Sequence, residues 1–426
     1  MKSVSWLCGV AVGVPILMAI AAAPESNGPL LEPTGNYPVG RVSMEIADPS
    51  RPMPDGRYPR RLMLHIWYPA SSCRPTTLPY IEGLKDARSL FTDDEFSLLA
   101  SVRTHASAEP PVSPPSSRFP VLLFSHGDQM AAFLYSNLNE ELASNGYVVV
   151  AVDTPGAALF VSYPDGTMVR YSDTGRPSAE APQYRPALSE YLRHRIAEQT
   201  ADLRFVQGRL RTLKVRGQML RDFVSERVGA FGHSAGGLAA ALLSQQQMRL
   251  DACLNMDGRC DAAPFLIGVN IAAPASPFMY LAKPFRSLTD SELQAEGLTR
   301  PQANHLQEEI AARDRRLLAT AGPPAYRALL HHAEHGSFSD EPLLRNRSDA
   351  KSLSLMRNIR EVIVEFFDTS LQDGGRRLLR PQSSDSLELE VMATPRPFAE
   401  PGGPANGSQP IRPETHSTSP AAGSRR

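Results

Sequence analysis

Short apolar runs recur along this chain between residues 61 and 335, and several of them end in turn residues. FPVLLFSHG (119–127) and GYVVVAVDTPG (146–156) are almost continuously apolar until Gly or Asp is reached, which is typical of strands buried on both faces of a parallel sheet. RLMLHIWYP (61–69) mixes alternation with β-branched and aromatic residues, another strand pattern. The remaining strand candidates are VGAF (228–231), DACLNMDG (251–258), PFMYLAK (277–283) and YRALLHHAEH (326–335).

Helical patterns separate these strand candidates. FLYSNLNEELASNG (133–146) ends at a helix stop signal, AEQTADLRFVQGRLRTLKV (197–215) is amphipathic, and LSLMRNIREVIVEFFDTSL (353–371) closes the pattern. Strands that alternate with helices predict an α/β fold with a mostly parallel central sheet and helices on both faces. In such sheets, functional residues gather just beyond the carboxyl ends of the strands.

The first 21 residues have the features of a signal peptide. Lys2 is the one charged residue before Glu25, and the run between them is apolar. Ala19–Ala21 (AIA) fits the small-x-small rule for signal cleavage, so we expect a cut after Ala21 and a secreted or periplasmic protein. An uncleaved membrane anchor is the alternative, since about 20 apolar residues can span a bilayer.

Composition divides the rest of the chain into a domain and a tail. Residues 22–371 carry the alternating pattern and predict one domain, with a largely helical insertion at about 286–324 that could form a cap. Residues 372–426 are rich in Pro, Gly and Ser and poor in large apolar side chains, so we expect them to be disordered. ARSLFTDDEFSLLASV (87–102) is either a lipid-facing lid or an ordinary packed helix, and packed helices are commoner.

Charge and cysteine content narrow the function classes. The chain has 44 basic and 45 acidic side chains, a formal net charge of -1, and no strong basic block, which argues against nucleic acid as the main partner. Three cysteines follow the signal segment: Cys73, Cys253 and Cys260. They are too few for a disulfide framework, but a single disulfide between Cys253 and Cys260 is possible. Neither CxxC pairs nor His/Cys clusters indicate a metal, and no cofactor is expected.

The hexapeptide GHSAGG (232–237) lies between a strand candidate and an Ala/Leu-rich helix pattern. In a G-x-S-x-G turn, the passage from strand to helix is so sharp that the serine backbone is strained and its hydroxyl stands clear of the sheet. The helix N-terminus also favours negative charge there. A plain glycine turn would fit the motif alone, but its position makes Ser234 the candidate nucleophile. We expect His233 to point away from the reaction and to be structural.

A serine hydroxyl needs a general base, and the expected chain order is serine, acid, histidine. The segment HHAEHGSFSD offers three histidines. His331 and His332 fall within the last strand candidate. His335 follows that strand and precedes a glycine, where a loop would carry it over the serine, so it is the predicted base.

The acid is expected after a strand that lies between the serine and the base in the chain. Asp257 stands at the end of DACLNMDG, where it would hold the imidazole in the right tautomer and stabilise its cation. Asp290 is a rival, but SLTDSE is better explained as a helix N-cap. Asp251 opens its strand, and Asp153 precedes the serine and fits a turn residue.

The oxyanion of an acyl-transfer reaction needs two preorganised N–H donors. One is the residue after the nucleophile, Ala235. The other is expected in FSHGDQM, where Gly127 lets the backbone approach closely and the N–H of Asp128 is the candidate. We expect His126 to support this loop.

Together these residues resemble the platelet-activating-factor acetylhydrolase family, the plasma type and its bacterial relatives, in the α/β-hydrolase superfamily. Over about residues 36–370 the shared segments are YPVGRVSM, WYPA, PVLLFSHG, ELASNGYVVVAVDTPG, FGHSAGG, NMDG and HGSFSD. HGSFSD is the most telling, since the family follows its histidine with Phe and Asp at this spacing. The resemblance implies that Ser234 is the nucleophile, His335 the base and Asp257 the acid.

The same resemblance implies a serine carboxylic-ester hydrolase that forms an acyl-enzyme on short-chain acyl esters, such as platelet-activating-factor-like phospholipids, with peripheral membrane contact. A polyester or cutin hydrolase, or a dienelactone-type hydrolase, is an alternative on the same fold. A catalytically silent hydrolase fold used as a binding module is another. One departure is Asp128, where the family commonly has an apolar or small residue, because a carboxylate turned inward would oppose the oxyanion.

Overall fold

A computed structural model describes most of the chain between residues 30 and 393. The described ranges are 30–72, 77–114, 118–178, 184–246, 250–258, 276–296, 298–319, 324–345, 349–372 and 379–393. The predicted signal peptide and two of the cysteines, Cys73 and Cys260, lie outside them. Within these ranges, no helix is both long enough and apolar enough to cross a bilayer.

A twelve-stranded sheet lies at the centre of the described structure. The strands within the described ranges are β1 (Val39–Asp48), β2 (Arg60–Pro69), β3 (Thr77–Pro79), β4 (Arg103–Ala108), β5 (Phe119–Ser125), β6 (Val148–Asp153), β7 (Phe160–Ser162), β8 (Met168–Arg170), β9 (Lys214–Val215), β10 (Gln218–Met219), β11 (Val224–His233), β12 (Ala252–Met256), β13 (Phe278–Ala282), β14 (Ala325–Leu330), β15 (Gln382–Ser383) and β16 (Leu387–Ala393). The sheet order is β15-β16-β14-β13-β12-β11-β5-β6-β2-β1-β4-β3, and β7–β8 and β9–β10 form two small hairpins.

The middle of the sheet is parallel and its flanks are mostly antiparallel. Neighbouring strands from β6 through β5, β11, β12 and β13 to β14 all run parallel. Every residue of β5, β6, β12 and β13 is buried, as expected for strands covered on both faces. On the flanks, β2 pairs antiparallel with β6 and β1, and β16 with β14. The predicted α/β fold with a mostly parallel sheet is confirmed.

Helices cover both faces of this sheet. In the described part of the chain they are α1 (Asp93–Ser101), α2 (Ser136–Ser144), α3 (Tyr184–Arg209), α4 (Ala235–Leu243), α5 (Asp290–Glu296), α6 (Arg300–Ala319), α7 (Glu341–Arg345) and α8 (Ala350–Leu371). One core cluster contains buried residues of α1, α2 and α8, and the other contains those of α3 and α4. Leu98 and Leu99 of α1 lie in the first cluster, which is the ordinary packing considered for residues 87–102.

The predicted insertion at about 286–324 contains α5 and α6. Helix α6 forms the connection between the parallel strands β13 and β14, and it contacts β14 and β16. Leu318 of α6 is buried in the same core cluster as α3 and α4, and Arg315 pairs with Glu390 of β16 at 2.9 Å. The suggested cap is therefore wrong for α6, which is a crossover helix packed on the sheet.

The predicted disorder of residues 372–426 is wrong for residues 379–393. Strand β16 pairs antiparallel with β14 along most of its length and extends the sheet. Leu387 and Leu389 are buried, whereas Glu390 reaches Arg327 of β14 at 3.2 Å. The alternation of LELEV is a strand signal that the Pro, Gly and Ser content of the surrounding tail obscured. Residues 394–426 lie outside the described ranges.

Candidate active site

Ser234 occupies the sharp turn between β11 and α4. Its backbone has φ 55° and ψ -120°, a conformation that non-glycine residues rarely adopt and that typically costs about 1–3 kcal/mol. A Cβ atom on Gly232 would lie 2.4 Å from the carbonyl carbon of Gly236, and one on Gly236 would lie 2.2 Å from the Ser125 oxygen. Both glycines are therefore required sterically, as the motif predicted.

His335 lies beside Ser234 although the two elements that carry them are far apart in the chain. Strand β14 ends at Leu330, and His335 opens a short 3-10 helix that ends at Phe338. The Nε2 atom of His335 is 3.0 Å from Ser234 Oγ. The strand candidate at 326–335 was too long, so the two rival histidines lie in the turn after β14 rather than within the strand.

Asp257 follows β12 in a turn that Asn255 closes. The Asn255 side-chain oxygen accepts the N–H of Gly258 at 2.9 Å, and the turn holds Asp257 at a φ of 50°. Asp257 Oδ2 lies 2.7 Å from His335 Nδ1, and its Oδ1 accepts the N–H of Lys283 at 3.4 Å. The carboxylate is 3% exposed, so the imidazole has a buried anion behind it.

The rival carboxylates lie elsewhere. Asp290 is exposed at the start of α5 and pairs with Arg300 at 2.5 Å, and the helix is capped by the preceding Thr289 rather than by Asp290 itself. Asp251 lies at the amino end of β12, where it accepts the Val228 N–H at 3.0 Å. Asp153 ends β6 and holds the loop after β5 by accepting the Ala132 N–H at 2.8 Å.

The loop after β5 lies against Ser234. A Cβ atom on Gly127 would be 3.5 Å from Ser234 Cβ. The Gly127 N–H donates to the Tyr135 hydroxyl at 3.2 Å, whereas the N–H of Asp128 donates to no acceptor within the described part of the chain. Ala235 is the first residue of α4, so its N–H has no partner inside the helix. These two donors suit an oxyanion hole.

His126 holds the loop after β5 in place through hydrogen bonds with the main chain. It is fully buried, its Nδ1 lies 2.7 Å from the Gly127 oxygen, and its Nε2 accepts the Thr154 N–H at 3.2 Å. Gln199 of α3 donates to the His126 carbonyl at 2.9 Å. Because both ring nitrogens are engaged with the main chain, His126 holds the loop, the role that the sequence suggested.

The side chain of Asp128 is tied to a chain of hydroxyl groups. Its Oδ2 accepts the Tyr171 hydroxyl at 3.3 Å, Tyr171 lies 3.1 Å from the Tyr191 hydroxyl, and Arg195 donates to Tyr191 at 3.1 Å. Burial raises the pKa of Asp128, while the charges of Arg195 and Arg176 act to lower it. Because Tyr171 donates to it, the Asp128 carboxyl has a hydrogen-bond partner on the side of Tyr171.

His233 is fully buried, and its contact with His335 was not part of the sequence-based expectation. Its ring centroid lies 4.6 Å from that of His335. No local pattern in the sequence reveals this contact, because it depends on where the loop after β14 is placed in three dimensions.

Comparisons with known proteins agree with this architecture. The sequence profile of platelet-activating factor acetylhydrolase, isoform II, matches residues 27–164, a range that holds the Asp128 loop and ends before Ser234. A probable 1-alkyl-2-acetylglycerophosphocholine esterase from Arthroderma benhamiae is 26% identical over 266 residues. The match covers 59% of this chain and 64% of that protein, which is less than two thirds of the relative's length.

Among solved structures, a ferulic acid esterase from Streptomyces cinnamoneus is similar in fold. The TM-score is 0.62 at 24% sequence identity, and the match covers 85% of this chain and 99% of that one. This likeness confirms the predicted α/β-hydrolase fold.

Proposed function

Residues 27–164 match the platelet-activating factor acetylhydrolase profile, and from this similarity we propose that the chain belongs to that family and is a serine carboxylic-ester hydrolase. The observation that carries the proposal is the series of hydrogen bonds from Asp257 through His335 to Ser234, at 2.7 Å and 3.0 Å. A serine, an imidazole and a buried carboxylate in this order activate the hydroxyl for covalent catalysis.

The reaction begins with transfer of the Ser234 proton to His335 Nε2 as Oγ attacks the ester carbonyl. The new imidazolium is stabilised by Asp257, which accepts from its Nδ1. The N–H groups of Asp128 and Ala235 receive the negative oxygen of the tetrahedral intermediate.

Collapse of that intermediate breaks the bond to the leaving alcohol, which takes the proton from His335. An acyl-enzyme on Ser234 remains. His335 then removes a proton from water, the hydroxide equivalent attacks the acyl carbonyl, and Ser234 leaves with the proton that His335 returns. The cycle releases an alcohol and a carboxylic acid and regenerates the enzyme.

The proposed substrates are short-chain acyl esters, including phospholipids with an acetyl group, which would bring the enzyme to a membrane surface. Support comes from the relative in Arthroderma benhamiae, which is named for an acetylated glycerophosphocholine. We further propose export through cleavage after Ala21, which Edman sequencing of the protein from its native host would test. A mature chain that begins at residue 1 would contradict export by this route.

The test compares the wild type with Ser234→Ala on p-nitrophenyl acetate, butyrate, octanoate and palmitate. The proposal predicts that the wild type prefers the acetyl and butyryl esters, and that the variant loses activity on all four by roughly 10³-fold or more. Equal hydrolysis by both proteins would exclude Ser234 as the nucleophile. Preference for long chains, or release of acid from polyester films, would favour the cutinase-like alternative, and no activity on any ester would favour the binding module.

A further inference from the structure

The imidazole of His233 is packed directly behind that of His335. His233 is fully buried, and its ring centroid is 4.6 Å from that of His335 with the planes at 43°. On another side Phe338 stacks on His233 at 5.8 Å and 29°. Since Phe338 closes the short helix that His335 opens, His233 contacts both ends of the element that carries the proposed base.

Tyr135 holds the His233 ring in this place. Its hydroxyl lies 2.8 Å from His233 Nδ1, and the same hydroxyl accepts the Gly127 N–H and contacts the Met130 sulfur at 3.0 Å. One phenol group thus connects the loop after β5, the turn before Ser234 and, through His233, the loop after β14. A shift of any one of these segments would disturb the others.

The hydrogen bond between the His233 ring and the Tyr135 hydroxyl is the main polar contact of this side chain among the described residues. Its Nε2 atom finds no hydrogen-bond partner among the described residues. Burial lowers the pKa of His233 well below its usual value, and the neighbouring His335 charge lowers it further. The ring is therefore neutral at the pH values at which an ordinary histidine changes its charge.

A neutral aromatic ring beside an imidazolium has a definite electrostatic effect. The face of an aromatic ring is electron-rich, so a nearby cation is attracted to it, whereas a second charged imidazole would repel it. The cation in question is the form of His335 that exists after Ser234 has lost its proton. The other ionisable groups that act on this cation include Asp257 and Glu341, both of them acidic.

We propose that His233 is a positioning residue for His335: it fixes the plane of the His335 ring and supplies an aromatic face to the imidazolium formed during ester hydrolysis. The inference rests on the proposed function, because it assigns a role to a neighbour of the proposed base. This role differs from that of a residue that only fills space in the turn between β11 and α4.

The experiment compares His233→Phe with His233→Leu. Both variants lose the contact with Tyr135 and both are apolar, but only the phenylalanine retains an aromatic face. Active sites are counted by burst titration with a fluorophosphonate, so that unfolded protein does not enter the rate. Hydrolysis of p-nitrophenyl acetate is then measured as kcat, KM and the pH dependence of kcat/KM.

The proposal predicts that kcat per titrated site is lower by about tenfold in His233→Leu than in His233→Phe, with similar KM. The acid limb of kcat/KM should also lie at lower pH in His233→Leu, because loss of the aromatic face disfavours the protonated form of His335. Equal kcat and coincident acid limbs in the two variants would overturn the proposal. A wild type that neither reacts with the fluorophosphonate nor hydrolyses the ester would instead overturn the proposed function.

Discussion

Ser234 Oγ and His335 Nε2 lie 3.0 Å apart although 101 residues separate them in the chain. The parallel order of the central strands brings these two atoms together. β11 and β14 are parallel members of one run, with β12 and β13 between them, so their carboxyl ends reach the same edge. Asp257 follows β12, which lies between β11 and β14 in the sheet, so it reaches the same edge and contacts His335.

Replacement of Asp257 by asparagine should lower kcat by roughly 10⁴-fold, because an amide cannot stabilise the imidazolium and favours the wrong tautomer. The change is nearly isosteric and should leave the fold intact. The matched control is Asp290→Asn, whose side chain is 94% exposed and should leave kcat unchanged. Initial rates on p-nitrophenyl acetate check both. A fully active Asp257→Asn beside an inactive Asp290→Asn would reverse the assignment.

Alanine at Gly127 should slow the reaction without unfolding the protein. Its Cβ atom would lie 3.1 Å from the Met130 sulfur and 3.2 Å from His233 Nδ1, so these side chains or the loop that presents the Asp128 N–H must shift by a few tenths of an ångström. Misplacing one oxyanion donor costs up to about 10²-fold in kcat. Gly208→Ala, in an open position on α3, is the control and should keep wild-type kcat. Wild-type kcat in Gly127→Ala would show that this loop is not the oxyanion hole.

Phenylalanine at Tyr135 should reduce both stability and kcat. The lost hydroxyl leaves the buried Gly127 N–H without its acceptor, which costs about 1–3 kcal/mol of unfolding free energy. It also frees the His233 ring. The matched control is Tyr147→Phe, which removes a hydroxyl bonded to Asp368 at 2.7 Å on α8. That variant should lose stability while its kcat per titrated site stays unchanged. Urea unfolding and titrated kinetics on both proteins separate the two effects.

Asp340 should make the protein less stable as the pH rises. It is 1% exposed and bonded to the Tyr80 hydroxyl at 2.9 Å, and burial raises its pKa well above the ordinary value. The native state therefore keeps a proton that the unfolded chain loses, so the contribution of Asp340 to stability is full below the ordinary aspartate pKa and declines at higher pH. Asp340→Asn, which mimics the neutral form, should weaken this decline.

Urea unfolding at pH 5 and pH 8 measures the effect. Asp349→Asn is the control, because the Ser352 side chain lowers the pKa of Asp349 at the start of α8 and this carboxylate stays ionised from pH 5 to pH 8. Asp349 contributes above the ordinary aspartate pKa, and its contribution disappears on acidification. An identical pH dependence in Asp340→Asn and the wild type would contradict the role given to Asp340.

The parallel centre of the sheet and the position of Ser234, Asp257 and His335 at one edge of it were predictable because their signals are local. Each central strand is a short apolar run, and a residue directly after a strand end must lie at the site edge. Strand β16 carried a signal, the alternation of Leu387 and Leu389 with glutamates, but the composition of its surroundings concealed it. A short strand depends on its partner, here β14, more than on its own sequence.

Features of the site that depend on long-range packing could not be predicted from the sequence. The contact of His233 with His335 joins the turn between β11 and α4 to the loop after β14, about a hundred residues later in the chain. The contact of Asp128 with Tyr171 depends on how the segment after β8 folds back on the oxyanion loop. The sequence around His233 and around Asp128 does not indicate which residue each one contacts. These two contacts are therefore known only from the three-dimensional structure.

The central claim is that Ser234 forms a covalent acyl intermediate, and mass spectrometry of the labelled protein tests it most directly. Wild type and Ser234→Ala are treated with a fluorophosphonate, digested and analysed by tandem spectra. We expect one phosphonyl adduct, on Ser234 within its peptide, together with loss of esterase activity, and no adduct there in the variant. An adduct on another residue that accompanies the loss of activity, or full activity after Ser234 is labelled, would contradict it.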